Sequence, residues 1–194
     1  MAQDSSYVTV DGEFDSLEKR SFLTIDDYNL EGKTIILRID INSSINPTNG
    51  DLLDDTRIKR HATTVKELSD KKTKLIVLAH QSRPGKLDFV NLEKHGIRMS
   101  EMIGKEIKFI NDIYGKKAIK EIKKLNDGDI LLLDNVRFDE DEIKFKKFLN
   151  NNFEKQKKSK MVKKLAPHAS YFINDAFAAS HRCQPSLVGF CEKM

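Results

Sequence analysis

Five short apolar runs, continuous rather than alternating, constrain this chain more tightly than anything else in it. They cover residues 34–40, 74–79, 107–111, 129–134 and 170–174 and are rich in Ile, Leu and Val. A strand with one wet face alternates, whereas a strand buried on both faces reads as an unbroken apolar run. Between the runs lie segments of helical period. The stretch DDTRIKRHATTVKELSD offers Asp54 or Asp55 as a cap and sets Ile58, Ala62, Val65 and Leu68 along one face. Further helices are expected over 92–103, 114–124, 141–150 and 154–165. Parallel strands need crossover connections, and this alternation supplies them. The expected fold is α/β: a doubly wound, mainly parallel sheet with helices on both faces, a Rossmann-like three-layer sandwich.

The apolar runs end in polar residues. IVLAHQSRPGK passes from a strand into His80, Gln81, Ser82 and Arg83, then a Pro-Gly turn. TIILRIDIN leaves Arg38, Asp40 and Asn42 at a second exit, DILLLDNVRF leaves Asp134, Asn135 and Arg137 at a third, and SYFINDAFAASHR leaves Asn174, Asp175, His181 and Arg182 at a fourth. In open α/β sheets, ligands bind beyond the carboxyl ends of the strands. Gathered there, Arg38, Arg83, Arg137 and Arg182 repel one another unless an anion lies between them. Each guanidinium presents paired donors matched to phosphate or carboxylate. Asp40 and Asn42 suit a different task, orienting hydroxyl groups and restraining the arginines. The composite fits a small polyanion that also carries a hydroxyl.

Arg57 adds a second sign. It stands in the first turn of the helix begun at Asp54 and Asp55, where a cation opposes the helix dipole. Taken singly, each of these residues has an ordinary structural reading. Arg38 can snorkel or pair with an acid, Asp40 and Asp175 can cap loops, and His80 can be a satisfied interior imidazole. Their recurrence at four exits is what points to a site.

At 194 residues the chain fits one domain, and 39% hydrophobic content is enough for a core. The 34 basic against 30 acidic residues leave a formal charge of +4, too small to require nucleic acid. The stretch 144–164 holds nine lysines. It reads as a solvated helical face with Phe145, Phe148, Phe153, Val162 and Leu165 inward, against the alternative of a nucleic-acid or membrane-surface patch. Cys183 and Cys191 fit neither a zinc ligand set nor a disulfide framework and are read as free thiols. Residues 1–20 are polar and acidic without period, a flexible extension or tag rather than a signal peptide. With no apolar run near the ~20 residues of a transmembrane helix, the expected location is cytoplasmic. No glycine-rich nucleotide cradle, H-E-x-x-H or G-x-S-x-G is present, and Asn42-Ser-Ser is a formal sequon only.

Five motifs in order, RIDIN, DDTRI, AHQSRP, LLLDNVRF and INDAFAASHR, resemble the N-terminal domain of phosphoglycerate kinase, with a match over residues 21–194. The wording AHQSRPGK, in place of the more widespread SHLGRP, resembles the archaeal branch. The resemblance implies reversible phosphoryl transfer between 1,3-bisphosphoglycerate and ADP, giving 3-phosphoglycerate and ATP. Asp40 and Asn42 are implied to hold the hydroxyl region of 3-phosphoglycerate. His80, Arg83, Arg137 and Arg182, with His181 beside them, are implied to take its 3-phosphate. Arg57 is implied to meet the carboxylate or acyl phosphate and to act in catalysis. Gln184 stands where the family often has a second histidine, and Ile41 stands in the middle of the family's DFN. MgATP and MgADP belong to the family's nucleotide-binding C-terminal domain, expected to be absent here, so that these residues alone bind substrate without turnover and bind no cofactor or metal. The expected partners are 3-phosphoglycerate or 1,3-bisphosphoglycerate and that C-terminal domain, not nucleic acid or membrane. The residues alone also leave open a non-catalytic anion-binding α/β module.

Overall fold

The computed structural model describes residues 24–144 and 153–191. The expected extension over 1–20 lies outside them, as do Phe145, Phe148 and the side chain of Phe153. Five strands form: β1 (Thr34–Arg38), β2 (Lys74–Leu78), β3 (Ile107–Ile110), β4 (Ile130–Leu133) and β5 (Tyr171–Asn174). All pair in parallel, in the order β3-β4-β2-β1-β5. β1 lies between β2 and β5, with Ile36 opposite both Ile76 and Phe172.

Period-2 geometry sends successive residues to opposite faces, and each face finds its own helices. Ile35, Leu37 and Ile39 join Leu75, Val77, Ile130 and Leu132 against Ile58, Val65 and Leu68 of α1 (Thr56–Asp70) and Met99 of α2 (Glu93–Ile103). Ile36, Ile76, Leu78, Leu131 and Leu133 face the other way. They meet Ala118 and Ile122 of α3 (Lys116–Ile122) and, beyond α4 (Glu140–Lys144) and α5 (Phe153–Gln156), Met161, Val162 and Leu165 of α6 (Lys160–Leu165). The two-sided burial anticipated from the unbroken runs is thus the doubly wound sandwich.

Local chemistry sets the helix ends. Asp54 Oδ1 accepts from the Thr56 N–H at 2.9 Å and from its hydroxyl at 2.6 Å, opening α1. Asp55 instead pairs with Arg98 at 2.7 Å, tying α1 to α2. Gly104, at φ +67°, ends α2 in the left-handed region. The single helix expected over 154–165 is two: Ser159 breaks it, its hydroxyl accepting from the Val162 N–H at 3.3 Å as the cap of α6. The part of the helix expected over 141–150 that lies beyond Lys144 falls outside the described residues. The last helix, α7 (Pro185–Val188), packs so closely on α5 and α6 that a Cβ on Gly189 would meet Val162 Cγ2 at 2.7 Å and Gln156 O at 2.9 Å. No helix among the described residues is long and apolar enough to cross a membrane.

Candidate functional site

The exits of β1, β2, β4 and β5 open at one edge of the sheet, because all strands run the same way. Arg38, expected among the anion-facing arginines, turns inward instead and is 1% exposed. Its Nε donates to Ser186 Oγ at 3.0 Å, Nη1 to the Ile39 carbonyl, and Nη2 to His80 Nδ1 at 2.9 Å. Glu142 completes this interior network, Oε1 accepting from Ser186 Oγ at 2.6 Å and Oε2 from its N–H at 2.9 Å. Burial pushes the Glu142 carboxyl up to about 7 against the pull of Arg38 and the Ser186 hydrogen bonds. Gln184 is interior too, donating to the Glu142 carbonyl at 2.7 Å.

His80 receives its orientation from Arg38. A guanidinium only donates, so Nδ1 must accept and the proton must sit on Nε2. Burial first, then the guanidiniums of Arg38, Arg137, Arg182 and Arg57, hold the imidazole far below its usual range. It is a neutral donor surrounded by cations.

Arg137 follows Asn135, which caps the 3-10 turn Val136–Phe138 by accepting from the Arg137 N–H at 3.1 Å. Its guanidinium is half-buried and donates to the Ser82 carbonyl. Burial, Arg182 and Arg38 together lower its pKa to about 10. Arg182 Nε lies 3.3 Å from His181 Nε2 on the exit of β5. Arg83 is exposed beside the Pro-Gly turn, with no side-chain partner among the described residues.

The remaining expected residues are held in place by one another. Asp40 is 5% exposed and binds Arg57 Nη1 at 2.5 Å, while the Arg57 side chain stays 47% exposed. Asn42 Oδ1 accepts from the Ser82 N–H at 2.6 Å. Ser82 sits at φ +53°, a conformation that a residue with a Cβ adopts at a cost, and the SHLGRP wording has glycine there. Asn42 on its N–H, Arg137 on its carbonyl, and Asp88 on its hydroxyl at 2.6 Å hold it in that shape.

The sequence reading missed residues that arrange this edge. His61 of α1 lies 2.8 Å from Asp175 Oδ2 through Nδ1 and accepts from the Asp40 N–H at 3.3 Å through Nε2. Gln81, Asn135 and His95 form a second buried cluster. A His on the inward face of a helix was the available signal for His61 and His95, but neither lies in an exit motif. Asp134 serves α2, accepting from the Leu92 N–H at 3.2 Å.

A doubly wound parallel sheet whose carboxyl edge gathers His80, Arg137, Arg182 and Arg57 into one polar basin is an α/β arrangement whose charges are chemically suited to a small anion. Comparison with known proteins gives the family. The family model described as phosphoglycerate kinase matches residues 25–194, and the chain belongs to that family. A phosphoglycerate kinase of Methanobacterium bryantii is 53% identical over 173 residues, covering 89% of this chain and 41% of the relative. One from Sulfurisphaera tokodaii is 45% identical over 166 residues, covering 86% and 39%. The crystal structure of phosphoglycerate kinase from Pyrococcus horikoshii OT3 superposes with a TM-score of 0.80 at 36% identity, covering 87% of this chain and 40% of that one. The chain therefore spans about two-fifths of the length of the relatives it matches.

Proposed function

We propose that the strand-exit basin binds 3-phosphoglycerate and 1,3-bisphosphoglycerate, as the acceptor half of an enzyme that exchanges a phosphoryl group between 1,3-bisphosphoglycerate and ADP. The observation that carries this is Arg137: its guanidinium is half-buried beside those of Arg182 and Arg38, which lower its pKa. Cations held at close range are stabilised by an anion between them. In this reading Arg83, Arg137, Arg182 and the neutral His80 Nε2–H take the 3-phosphate, with His181 beside Arg182. Asp40 and Asn42 set the hydroxyl end. Arg57, the half-exposed cation paired with Asp40, meets the carboxylate or acyl phosphate.

Phosphoryl transfer depends on positioning and charge stabilisation, which is what these cations supply to the acceptor. Magnesium and a nucleotide belong to the family's reaction. Among the described residues no group of three or more His, Cys, Asp or Glu is placed to hold a metal ion, and no glycine-rich cradle follows a strand. These residues do not fit a magnesium–nucleotide, and closure of a second, nucleotide-holding domain over the basin is part of the proposal.

Calorimetric titration tests the reading. The protein is expected to bind 3-phosphoglycerate, Arg83→Ala to weaken that binding markedly, and residues 1–194 alone to make no ATP in a coupled assay. Unchanged affinity in Arg83→Ala overturns the 3-phosphate assignment, and normal ATP synthesis by the isolated chain overturns the division of labour.

A further inference from the structure

Two buried carboxamides continue the sheet past the point where its strands stop pairing. The last ladder bond between β1 and β2 runs from the Ile39 N–H to the Leu78 carbonyl at 3.0 Å. Beyond it, the Gln81 side chain pairs with both backbone groups of Ser43: Oε1 accepts from the Ser43 N–H at 2.9 Å and Nε2 donates to its carbonyl at 2.9 Å. On the other side, Asn135 treats Gln81 in the same way. Its Oδ1 accepts from the Gln81 N–H at 3.2 Å and its Nδ2 donates to the Gln81 carbonyl at 2.8 Å. The exits of β4, β2 and β1 are thus stitched laterally by two side chains that imitate backbone.

The orientation of the Gln81 amide is fully determined. Ser43 presents one donor and one acceptor, so only one face-on arrangement satisfies both. His95, 1% exposed on α2, adds a third contact, its Nε2 lying 3.1 Å from Gln81 Oε1. That oxygen can only accept, so the imidazole must carry its proton on Nε2. His95 Nδ1 has no partner among the described residues, and burial lowers the imidazole pKa to about 4, so it stays neutral near pH 7. A neutral ring holds the amide without placing a charge behind the basin.

We propose that Gln81 is a positioning residue for the anion site, with His95 as the group that orients it. Gln81 lies between His80 and Ser82, and Ser43 follows Asn42. The double pairing therefore fixes Asn42 relative to the backbone of Ser82, and with it the base of Arg83. The inference rests on the reading of the basin as the 3-phosphoglycerate site and extends it to a residue outside the ligand's reach.

Gln81→Glu gives the test a signature that general loss of packing does not produce. The neutral carboxylic acid reproduces the amide, accepting from Ser43 N–H and His95 and donating to the Ser43 carbonyl. The ionised form turns an anionic oxygen toward that carbonyl. Affinity for 3-phosphoglycerate is measured by calorimetry at about pH 8 and about pH 5.5, each as a ratio to the unaltered protein so that titration of the ligand cancels. The expected result is a deficit of about tenfold or more at the higher pH that shrinks at the lower one. Gln81→Met, similar in volume and unable to pair, should show the deficit at both. Circular dichroism confirms that each variant is folded; if one is not, the other's affinity ratio decides. Binding by the unaltered protein and its loss in Arg83→Ala, together with wild-type affinity in both Gln81 variants, overturns the positioning role alone. No binding by the unaltered protein overturns the reading of the basin and this role with it.

Discussion

Arg57 Nη1 lies 2.5 Å from Asp40 Oδ2, joining the first turn of α1 to the buried exit of β1. The pair is lopsided: Asp40 is enclosed while about half of the Arg57 side chain stays in solvent. Such an arginine is tethered rather than locked.

The first prediction concerns that tether. Arg57→Ala should leave the protein folded but less stable by about 1–3 kcal/mol, because it strips the enclosed Asp40 carboxylate of its cation. In a full-length enzyme carrying the nucleotide half, turnover should fall on the order of 10³-fold. Urea unfolding and a coupled kinetic assay on the same preparation separate the two effects. A variant that keeps its turnover removes Arg57 from the chemistry.

His80 should behave as a permanently neutral imidazole. Burial and the surrounding guanidiniums depress its pKa, so its ring resonances should not shift between about pH 5 and pH 8, and nitrogen NMR should place the proton on Nε2. A titration step in that range would contradict the geometry of Arg38 over Nδ1.

Glu142 makes stability depend on pH in an unusual sense for a carboxylate. Its folded pKa, about 7, lies above the roughly 4.3 of an unfolded glutamate. Between those values the folded state binds more protons than the unfolded state, so stability declines as pH rises. The contribution is whole below the unfolded pKa and gone once pH has passed the folded one. Glu142→Gln should therefore flatten the pH profile of unfolding free energy across that window, as read from urea melts. A variant profile parallel to that of the unaltered protein would show that Glu142 is already ionised through the window.

The strands and their exits are legible in the sequence because burial on two faces leaves an unbroken apolar run, and polar residues can follow only where the sheet ends. The five runs meet the observed strands within two residues at every end. Arg38 was less legible. Its position at an exit suggests a residue facing the ligand, but its partner Ser186 stands 148 residues away, and nothing local says the side chain turns inward. Gln81 and His95 escape for the same reason, their partners lying on other elements. The break at Ser159 is less legible, because a serine cap inside a lysine-rich stretch leaves the helical period running on either side of it.

The reach of Arg38 bears on the order in which the molecule can assemble. Its guanidinium leaves water only when Ser186 and Glu142 are both in place, and β1 gains its second neighbour only when β5 arrives. A chain emerging from the ribosome can form α1 and pair β1 with β2 early, from contacts close in sequence. It cannot complete the buried Arg38–Ser186–Glu142 network until residue 186 is free, so this end of the sheet is among the last parts of this chain to take shape.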